Sequence, residues 1–514
     1  MFHHSHLSLC NRRMRWLMRV IEMNSSPLRL ASLVEGFGGV EEPMASLEVT
    51  GLTQDSRTVS SGSLFLAMPG ITDGSDGRNY IDDAIARGAG AILFEAMGED
   101  HRTALPVPAI AVTNLRAHAG AIASRYYQEP SARMMVIGVT GTNGKTTSLS
   151  LLSQAMTLLD RPCGQIGTLG SGFWGALHGG GLTTPDVVSL HRELAELLEA
   201  GAQCACVEVS SHALDQGRVD EVKFRAALFT NISHDHLDYH GSMEAYVKAK
   251  KSLFSRVGLE HVVVNLDDRY ADEFLAEVDD QVALMTYGSE GDVRVVEAKP
   301  FESGLFVRLA TPYGEMMFTS PLVGMINLPN LVGVAAMLLS LGYKPNQIEG
   351  ALTKIEPIPG RMERIGRSAN GAQVFVDFAH TPDALQKAIN SLRELQSGSI
   401  WVVFGCGGDR DLGKRPLMGE VASALSDHIV VTSDNPRNED PDEIIAQIVE
   451  GISSHQCVVL PDRGAAIDHA VHSAKEGDLV LVAGKGHEST QIIGSEALFF
   501  SDRLWIEQLL EGGA

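Results

Sequence analysis

The sequence predicts an α/β protein of three domains, and three observations carry that expectation. The chain has 514 residues, several times the ~100–150 residues of a common domain. Apolar runs that end in Gly, Ser, Asn or Asp alternate with stretches of helical periodicity, the pattern of βαβ units around a mostly parallel sheet. Two proline-bearing stretches, "YYQEPSARMM" around Pro130 and "KIEPIPGRME" around Pro357 and Pro359, each precede a new apolar strand. The expected division is an extension at 1–23, a small α/β domain at 24–112, a central parallel-sheet domain at 113–356, and a Rossmann-like, doubly wound domain at 357–514.

In the first domain "SLFLAM", "GAILFEA" and "PAIAV" read as short strands and "YIDDAIARGA" as a helix. In the second, "MMVIGVT" is a β-rich apolar strand, and after it Leu149, Leu152, Met156 and Leu159 fall at helical spacing. In the third, "SIWVVFGCGGDRD", "HIVVTSDNPR" and "DLVLVAGKGHE" are each a buried strand followed by a polar loop. Open parallel sheets bind ligands beyond the carboxyl ends of their strands, so these three loops are expected to converge on one site.

Composition narrows the function. With 44% hydrophobic and 20% charged residues the chain is neither disordered nor fibrous. A net charge of -23 argues against a general nucleic-acid surface, which needs Lys and Arg to neutralise phosphates. Any anionic ligand must meet locally gathered basic groups. The six cysteines, at 10, 163, 204, 206, 406 and 457, form no CxxC and are expected to be free thiols in a reducing cytosol. In "MFHHSHLSLCNRRMRWLMRVIEMNSS" basic residues interrupt every apolar stretch, so the start reads as a frayed extension, or as a start codon placed before Met23, rather than a signal peptide. No run approaches the ~18 apolar residues of a membrane span, and no stable membrane insertion is expected.

The loop "GVTGTNGKTT", Gly138–Thr147, departs from the spacing G-x-x-x-x-G-K-[ST], which places Gly where Val139 stands. Its setting is nevertheless strand, glycine loop, helix. There backbone N–H groups and a helix N-terminus favour anionic oxygens, Lys145 reaches terminal phosphates, and the Thr146 hydroxyl suits Mg²⁺. The candidate ATP-binding residues are Gly141, Thr142, Asn143, Gly144, Lys145, Thr146 and Thr147. The competing reading is a glycine turn with a chance Lys-Thr pair.

Two further stretches carry acids and imidazoles. "CACVEVSSHALDQGR" places Glu208 near a strand end with Ser210, Ser211 and His212 after it. "AALFTNISHDHLDYHG" carries Asn231, His234, Asp235, His236, Asp238 and His240. The second matches the zinc hydrolase pattern HxHxDH through Asp238 and fails at Tyr239. Beside a phosphate loop, Mg²⁺ on oxygen ligands and one imidazole is the more economical assignment. His234 and His240 read as caps or packed residues, and "KAKK" at 248–251 by itself reads as a solvated basic helix face.

Taken in order, "TGTNGKTT", "EVSSHALDQGR", "TNISHDHLDYHG", "AYVKAKKSLF", "NLDD", "GMINLPN", "GRME", "VDFAHTPDAL", "VFGCGGDRDLGKRP", "TSDNPR" and "AGKGHE" resemble the Mur ligases, ATP-dependent amide-bond formers of peptidoglycan synthesis. The resemblance spans most of Gln54 to Asp502 and lies nearest the branch that adds the third peptide residue. It implies that ATP phosphorylates the γ-carboxylate of D-Glu in UDP-MurNAc-L-Ala-D-Glu and that a diamino acid attacks the acyl phosphate. It places Lys145, Glu208, His236 and Lys250 at catalytic positions. Thr146, Glu208, His236 and Lys250 are at metal positions, with Lys250 as a carbamate. It assigns the first domain to the UDP-sugar, with Ser56, Thr72 and Asp73 at the uridine end, and Thr183, Thr184, Ser210, Gln216 and Arg218 on the muramoyl-peptide and its phosphates. Leu182 replaces an Asn before the Thr pair, and two residues are inserted near Gly74 and Ser75. Adenine and ribose contacts carry over to Asn327, Asn330, Asp377 and His380, although Ile326 replaces a Phe and Pro329 departs from the pattern.

The third residue is expected to be meso-diaminopimelate rather than L-lysine, because "SDNPR" supplies Arg437 for the additional carboxylate. Arg410, Asp434, Asn435, Pro436, Gly484 and Glu488 complete that candidate set: two Arg forks for carboxylates, Asp434 and Glu488 for ammonium groups. The bland alternative is that both arginines form surface ion pairs. The expected protein is a cytoplasmic monomer using ATP and Mg²⁺. Rival readings are a lysine-adding ligase, a folylpolyglutamate synthase-like ligase, a nucleotide-switch or motor ATPase, and a binding protein with a dead nucleotide site.

Overall fold

The apolar runs of the first domain assemble into a parallel sheet in the order β1 (Gly51–Thr53), β2 (Ser63–Ala67), β3 (Ala91–Glu95), β4 (Ala109–Val112). The computed structural model describes residues 28–37, 40, 42–71, 75–96, 105–395, 398–453 and 457–511. The expected extension at 1–23, Cys10, Thr72 and Asp73 lie outside the described residues. Alternation along β2 buries Leu64 and Leu66 on one face and Phe65 and Ala67 on the other. Helix α1 (Leu115–Tyr126) packs Leu115, Ala119, Ile122, Ala123 and Tyr126 into the core of Leu64 and Leu66. On this packing we place the end of the first domain near Pro130 rather than after residue 112.

The central sheet has seven strands: β5 (Met135–Thr140), β6 (Cys163–Gly167), β7 (Gly170–Phe173), β8 (Cys204–Glu208), β9 (Phe224–Phe229), β10 (His261–Asn265) and β11 (Ala283–Tyr287). Their order is β11-β10-β9-β5-β8-β6-β7, with all pairs parallel except β6 with β7. β5 is central and buried on both faces, Ile137 and Val139 to one side and Val136 to the other, which is why its sequence is continuously apolar. Each such side chain contributes about 1.5–3 kcal/mol by leaving water.

Helix α2 (Lys145–Leu158) departs from the single apolar stripe expected of it, because every residue from Thr146 to Met156 is buried. It lies between the sheet and helices α3 (Leu328–Ser340) and α4 (Pro345–Leu352), and both sides are covered. A three-stranded antiparallel sheet (Arg294–Phe301, Gly304–Thr311, Gly314–Ser320) adds Leu305, Val307, Leu309, Met316 and Phe318 to that core. The reading of a parallel sheet did not single out this element.

The third domain has a six-stranded sheet: β12 (Glu363–Arg367), β13 (Gln373–Asp377), β14 (Ile400–Phe404), β15 (His428–Val431), β16 (Cys457–Val459) and β17 (Leu479–Ala483). The order is β12-β13-β17-β14-β15-β16, with β12 antiparallel. β17, β14 and β15 are therefore adjacent, and the three polar loops after them share one edge of the sheet. A hairpin (Thr490–Ile493, Glu496–Phe499) borders these loops through a bridge between Arg437 and Ile493.

Candidate active site

The turn from β5 into α2 passes through Gly141 at φ 147° and Gly144 at φ 81°, both in the region that L side chains rarely adopt. A Cβ on Gly141 would collide with Thr230 Oγ1, and one on Gly144 with Asn330 Oδ1. This is why glycine stands at 141 and 144 while Val139, still inside the strand, needs none. The Thr142 and Asn143 N–H groups donate to Asn231, at 2.7 Å to its carbonyl and 3.0 Å to Oδ1. They fix the loop's shape, and the anion cradle is left to the first N–H groups of α2, which have no intrahelical acceptor. Lys145 Nζ donates to the carbonyls of Gly141 and Thr142 at 2.9 and 2.8 Å, and burial lowers its pKa. Thr146 and Thr147 are buried at the start of the helix.

Glu208 ends β8, one strand away from the loop, and is fully buried. Its two oxygens accept from Thr168 N at 3.0 Å and Thr168 Oγ1 at 3.2 Å. His236 caps the short helix Leu237–His240 at φ 54°, with Nε2 3.4 Å from Asp235 and its ring 4.7 Å from that of His212. His240 bonds Ser211 Oγ at 3.0 Å, and His234 is exposed.

Lys250 corrects the reading of "KAKK" as a solvated face. On helix Met243–Lys251, Lys248 is exposed, whereas Lys250 is 1% exposed, lies 4.8 Å from the Tyr246 ring centroid and donates to Gly141 O at 2.8 Å. Burial, reinforced by the charge of Lys145, holds its pKa well below that of an ordinary lysine. Two basic side chains, Lys145 and Lys250, therefore meet on the same carbonyl of the phosphate loop.

The candidate residues for the peptide substrate adjoin Glu208. Thr184 Oγ1 donates to Glu208 O at 2.7 Å and accepts from Ser210 N at 3.1 Å. Thr183 Oγ1 lies 3.3 Å from Thr168 Oγ1, and Arg218 donates to Gln216 Oε1 and to Thr184 O. Leu182 and Pro185 flank the Thr pair and line a cavity of about 180 Å³ with Asp186, Ser189 and Glu193. Burial there raises the Glu193 carboxyl to about 7. Ser56 is buried in the first domain.

Of the candidate adenine and ribose residues, Asn327 turns inward, its Nδ2 donating to Val323 O at 2.9 Å, and Asn330 Oδ1 sits above Gly144 and accepts from Ser148 Oγ at 3.2 Å. Asp377 is buried and accepts from Met362 N and Ala379 N at 2.6 and 2.8 Å; burial raises its pKa. His380 is exposed, with Nδ1 2.8 Å from Phe378 O.

The three C-terminal loops converge as expected. A Cβ on Gly407 would lie 2.8 Å from Arg437 Nη1 and 3.8 Å from Arg410 Cγ, so both arginines pass the same point. Arg437 Nη1 donates to Gly408 O at 2.8 Å. Asp434 Oδ2 approaches Gly484, Glu488 Oε2 accepts from Asn435 Nδ2 at 2.9 Å, and both carboxylates act on the charge of Arg437. The backbone of Pro436 packs against Gly408.

Several residues that sequence reasoning left unassigned hold this arrangement. Lys485, fully buried, donates to Asn435 Oδ1, Glu488 Oε2 and Thr490 O at 3.0, 3.0 and 2.7 Å. Arg415 is fully buried, grips Glu439 with both Nη atoms and also donates to Gly407 O. Arg463 and Asp502 are a buried bidentate pair, and Arg463 also donates to Ser433 O and Ala483 O, tying the ends of β15 and β17 together. Arg361, in the quoted "GRME", donates to Thr146 Oγ1 at 3.0 Å and joins the third domain to the phosphate loop. Asn143 Nδ2 makes a second such link to Asp383 at 3.1 Å. Arg361, Asp383, Arg415 and Lys485 lie inside motifs quoted above, but the partners of Arg361, Asp383 and Arg415, like the Arg463–Asp502 pair, lie too far apart along the chain for the sequence to show the contact.

Three family models match this chain: the Mur ligase family, catalytic domain, at 48–127; the Mur ligase middle domain at 139–338; and the Mur ligase, glutamate ligase domain, at 360–486. The UDP-N-acetylmuramoyl-L-alanyl-D-glutamate-2,6-diaminopimelate ligase of Pseudomonas aeruginosa is 48% identical over 455 residues, 88% of this chain and 93% of the relative. The chain belongs to the Mur ligase family. Among solved structures, a ligase of the same description is 32% identical at a TM-score of 0.67, covering 95% of this chain and 99% of that one. A folylpolyglutamate synthase of Mycobacterium tuberculosis, complexed with ADP and AMPPCP, shares the fold at a TM-score of 0.60 and 19% identity but covers 72% of this Mur ligase. No helix among the described residues is long and apolar enough to cross a membrane.

Proposed function

We propose that this Mur ligase joins meso-diaminopimelate to the γ-carboxylate of D-Glu in UDP-MurNAc-L-Ala-D-Glu, consuming ATP, as a cytoplasmic monomer. The observation that carries the choice of amine is the pair Arg410 and Arg437 around Gly407, within reach of the charges of Asp434 and Glu488. Two guanidinium groups suit the two carboxylates of a diacid, with Asp434 for an ammonium and Glu488 already paired with Lys485, and L-lysine would leave one guanidinium unmatched. The 48% identical relative carries the same activity in its name.

A carboxylate is a poor electrophile until one oxygen becomes a good leaving group. A γ-carboxylate oxygen attacks the terminal phosphorus of ATP, the bridging P–O bond breaks and ADP leaves. The free amine of diaminopimelate then attacks the acyl carbon, the C–O bond to phosphate breaks, phosphate leaves with the electron pair, and the new amide loses a proton. Lys145 and the N–H groups at the start of α2 position and neutralise the transferring phosphoryl group. Arg361 and Asn143 support closure of the third domain over the loop, which shields the acyl phosphate from water.

Mg²⁺ takes one or two carboxylates together with phosphate and water oxygens, and Glu208 offers one such carboxylate. Thr146, Glu208, His236 and Lys250 would hold it, and it would supply charge stabilisation for phosphoryl transfer. Among the described residues no three His, Cys, Asp or Glu side chains gather as a metal cluster, and two lysines stand on the same loop carbonyl. A dication is accommodated there once Lys250 carries a carbamate, which replaces a positive end by a negative one. Its buried, lowered pKa favours the neutral amine that adds carbon dioxide.

Phosphate release from ATP and Mg²⁺, with UDP-MurNAc-L-Ala-D-Glu and a panel of amines and with mass detection of product, tests this reading. The expected product carries diaminopimelate. Equal turnover of L-lysine, or ATP turnover without both other substrates, would overturn it.

A further inference from the structure

The side chains placed at the peptide end of the substrate belong to one hydrogen-bonded chain, and it begins at a residue with no assigned role. Tyr239 Oη donates to Asp215 Oδ2 at 2.6 Å, and Gln216 Nε2 donates to Tyr239 Oη at 3.1 Å. Gln216 Oε1 accepts from Arg218 Nε and Nη2 at 2.9 and 2.5 Å, and Arg218 Nη1 donates to Thr184 O at 3.1 Å. Thr184 continues to Ser210 and to Glu208.

Both ends of this chain have fixed polarity. A carboxylate only accepts and a guanidinium only donates, whereas a phenol does both and an amide has a donor end and an acceptor end of nearly the same shape. One assignment satisfies all of them. Asp215 takes the Tyr239 proton, the phenolic oxygen is left to accept, and the Gln216 amide must turn its nitrogen to Tyr239 and its oxygen to Arg218. Three of the five guanidinium N–H groups are then committed, and one on each Nη remains for a ligand. The Tyr239 ring is held separately, 4.2 Å from the His212 ring and 4.8 Å from that of His240.

We infer that Tyr239 is a positioning residue for the nucleotide-sugar peptide: its hydroxyl, anchored on Asp215, sets the orientation of the Gln216 amide and through it the Arg218 guanidinium. This rests on the proposed reading that Gln216 and Arg218 face that substrate. Tyr239 also lies three residues after His236, so the loop that carries a candidate metal ligand is the one that orients the peptide site.

The test uses the full chain. Tyr239→Phe keeps the ring and removes the relay. The expected result is a KM for UDP-MurNAc-L-Ala-D-Glu raised about tenfold, the scale of one misaligned charged hydrogen bond, with kcat and the KM values for ATP and diaminopimelate unchanged. Calorimetric titration of that nucleotide peptide should show the same weakening without turnover. In an Arg218→Ala background, Tyr239→Phe should add nothing further, because its effect runs through Arg218. An unchanged KM, a parallel rise for ATP, or effects that multiply in the double variant would overturn the inference. Wild-type protein that does not bind the nucleotide peptide at all would instead overturn the functional reading beneath it.

Discussion

Removing the Arg437 guanidinium is the sharpest test of amine choice, and the structure separates its effect from that of the backbone. Arg437 sits at φ 52°, its N–H donates to Ile492 O at 3.0 Å, and its carbonyl accepts from Gly494 N at 2.7 Å. The side chain donates to Gly408 O at 2.8 Å and to Asn435 O at 3.5 Å, and otherwise extends past Gly407 beside Arg410. Arg437→Ala retains the strained φ, whereas Arg437→Gly relieves it. Both lose a charged hydrogen bond to a ligand carboxylate, about 1.5–3 kcal/mol, or roughly 10- to 150-fold at ~1.4 kcal/mol per decade. Both variants should therefore lower kcat/KM for diaminopimelate by that factor in the phosphate-release assay, with the KM for ATP unmoved. Arg437→Lys should recover only part, since an ammonium cannot make the bidentate contact. If Ala and Gly differ strongly from each other, or if the KM for ATP rises with that for the amine, the guanidinium is not what selects the substrate.

Gly144→Ala adds a Cβ that collides with Asn330 Oδ1 at a φ of 81°, so it should raise the KM for ATP at least tenfold while leaving nucleotide-peptide binding by calorimetry unchanged. Asp502→Ala strands Arg463 as an uncompensated buried charge and should cost about 3–5 kcal/mol in chemical denaturation of the third domain. Glu193, raised by burial to about 7 from an unfolded value near 4.5, binds more protons when folded, so its burial cost is absent below pH 4.5 and complete above pH 7. Glu193→Gln should then raise Tm at pH 8, where the cost of the buried charge is complete, and change nothing at pH 4.5. An equal shift at both pH values would refute the placement of that carboxyl.

What the sequence determined by itself was local. The phosphate loop is legible because strand, permissive glycines and helix start are contiguous, and its backbone geometry depends on residues within a few positions of one another. The three polar loops of the third domain are legible for the same reason, each following its own apolar strand, and adjacency in the sheet then brings Arg410, Asp434, Arg437 and Glu488 together. Tertiary structure alone decided that Lys250 is buried against Gly141, 109 positions away, that Arg361 reaches Thr146 across 215, and that Arg463 pairs with Asp502. It also decided that α2 is covered on both sides. A helix's own periodicity records which side chains are apolar and is silent about what will pack against its polar ones. Whether a lysine there meets water or a carbonyl is settled only when distant segments close over it, and that closure sets the charge it can carry.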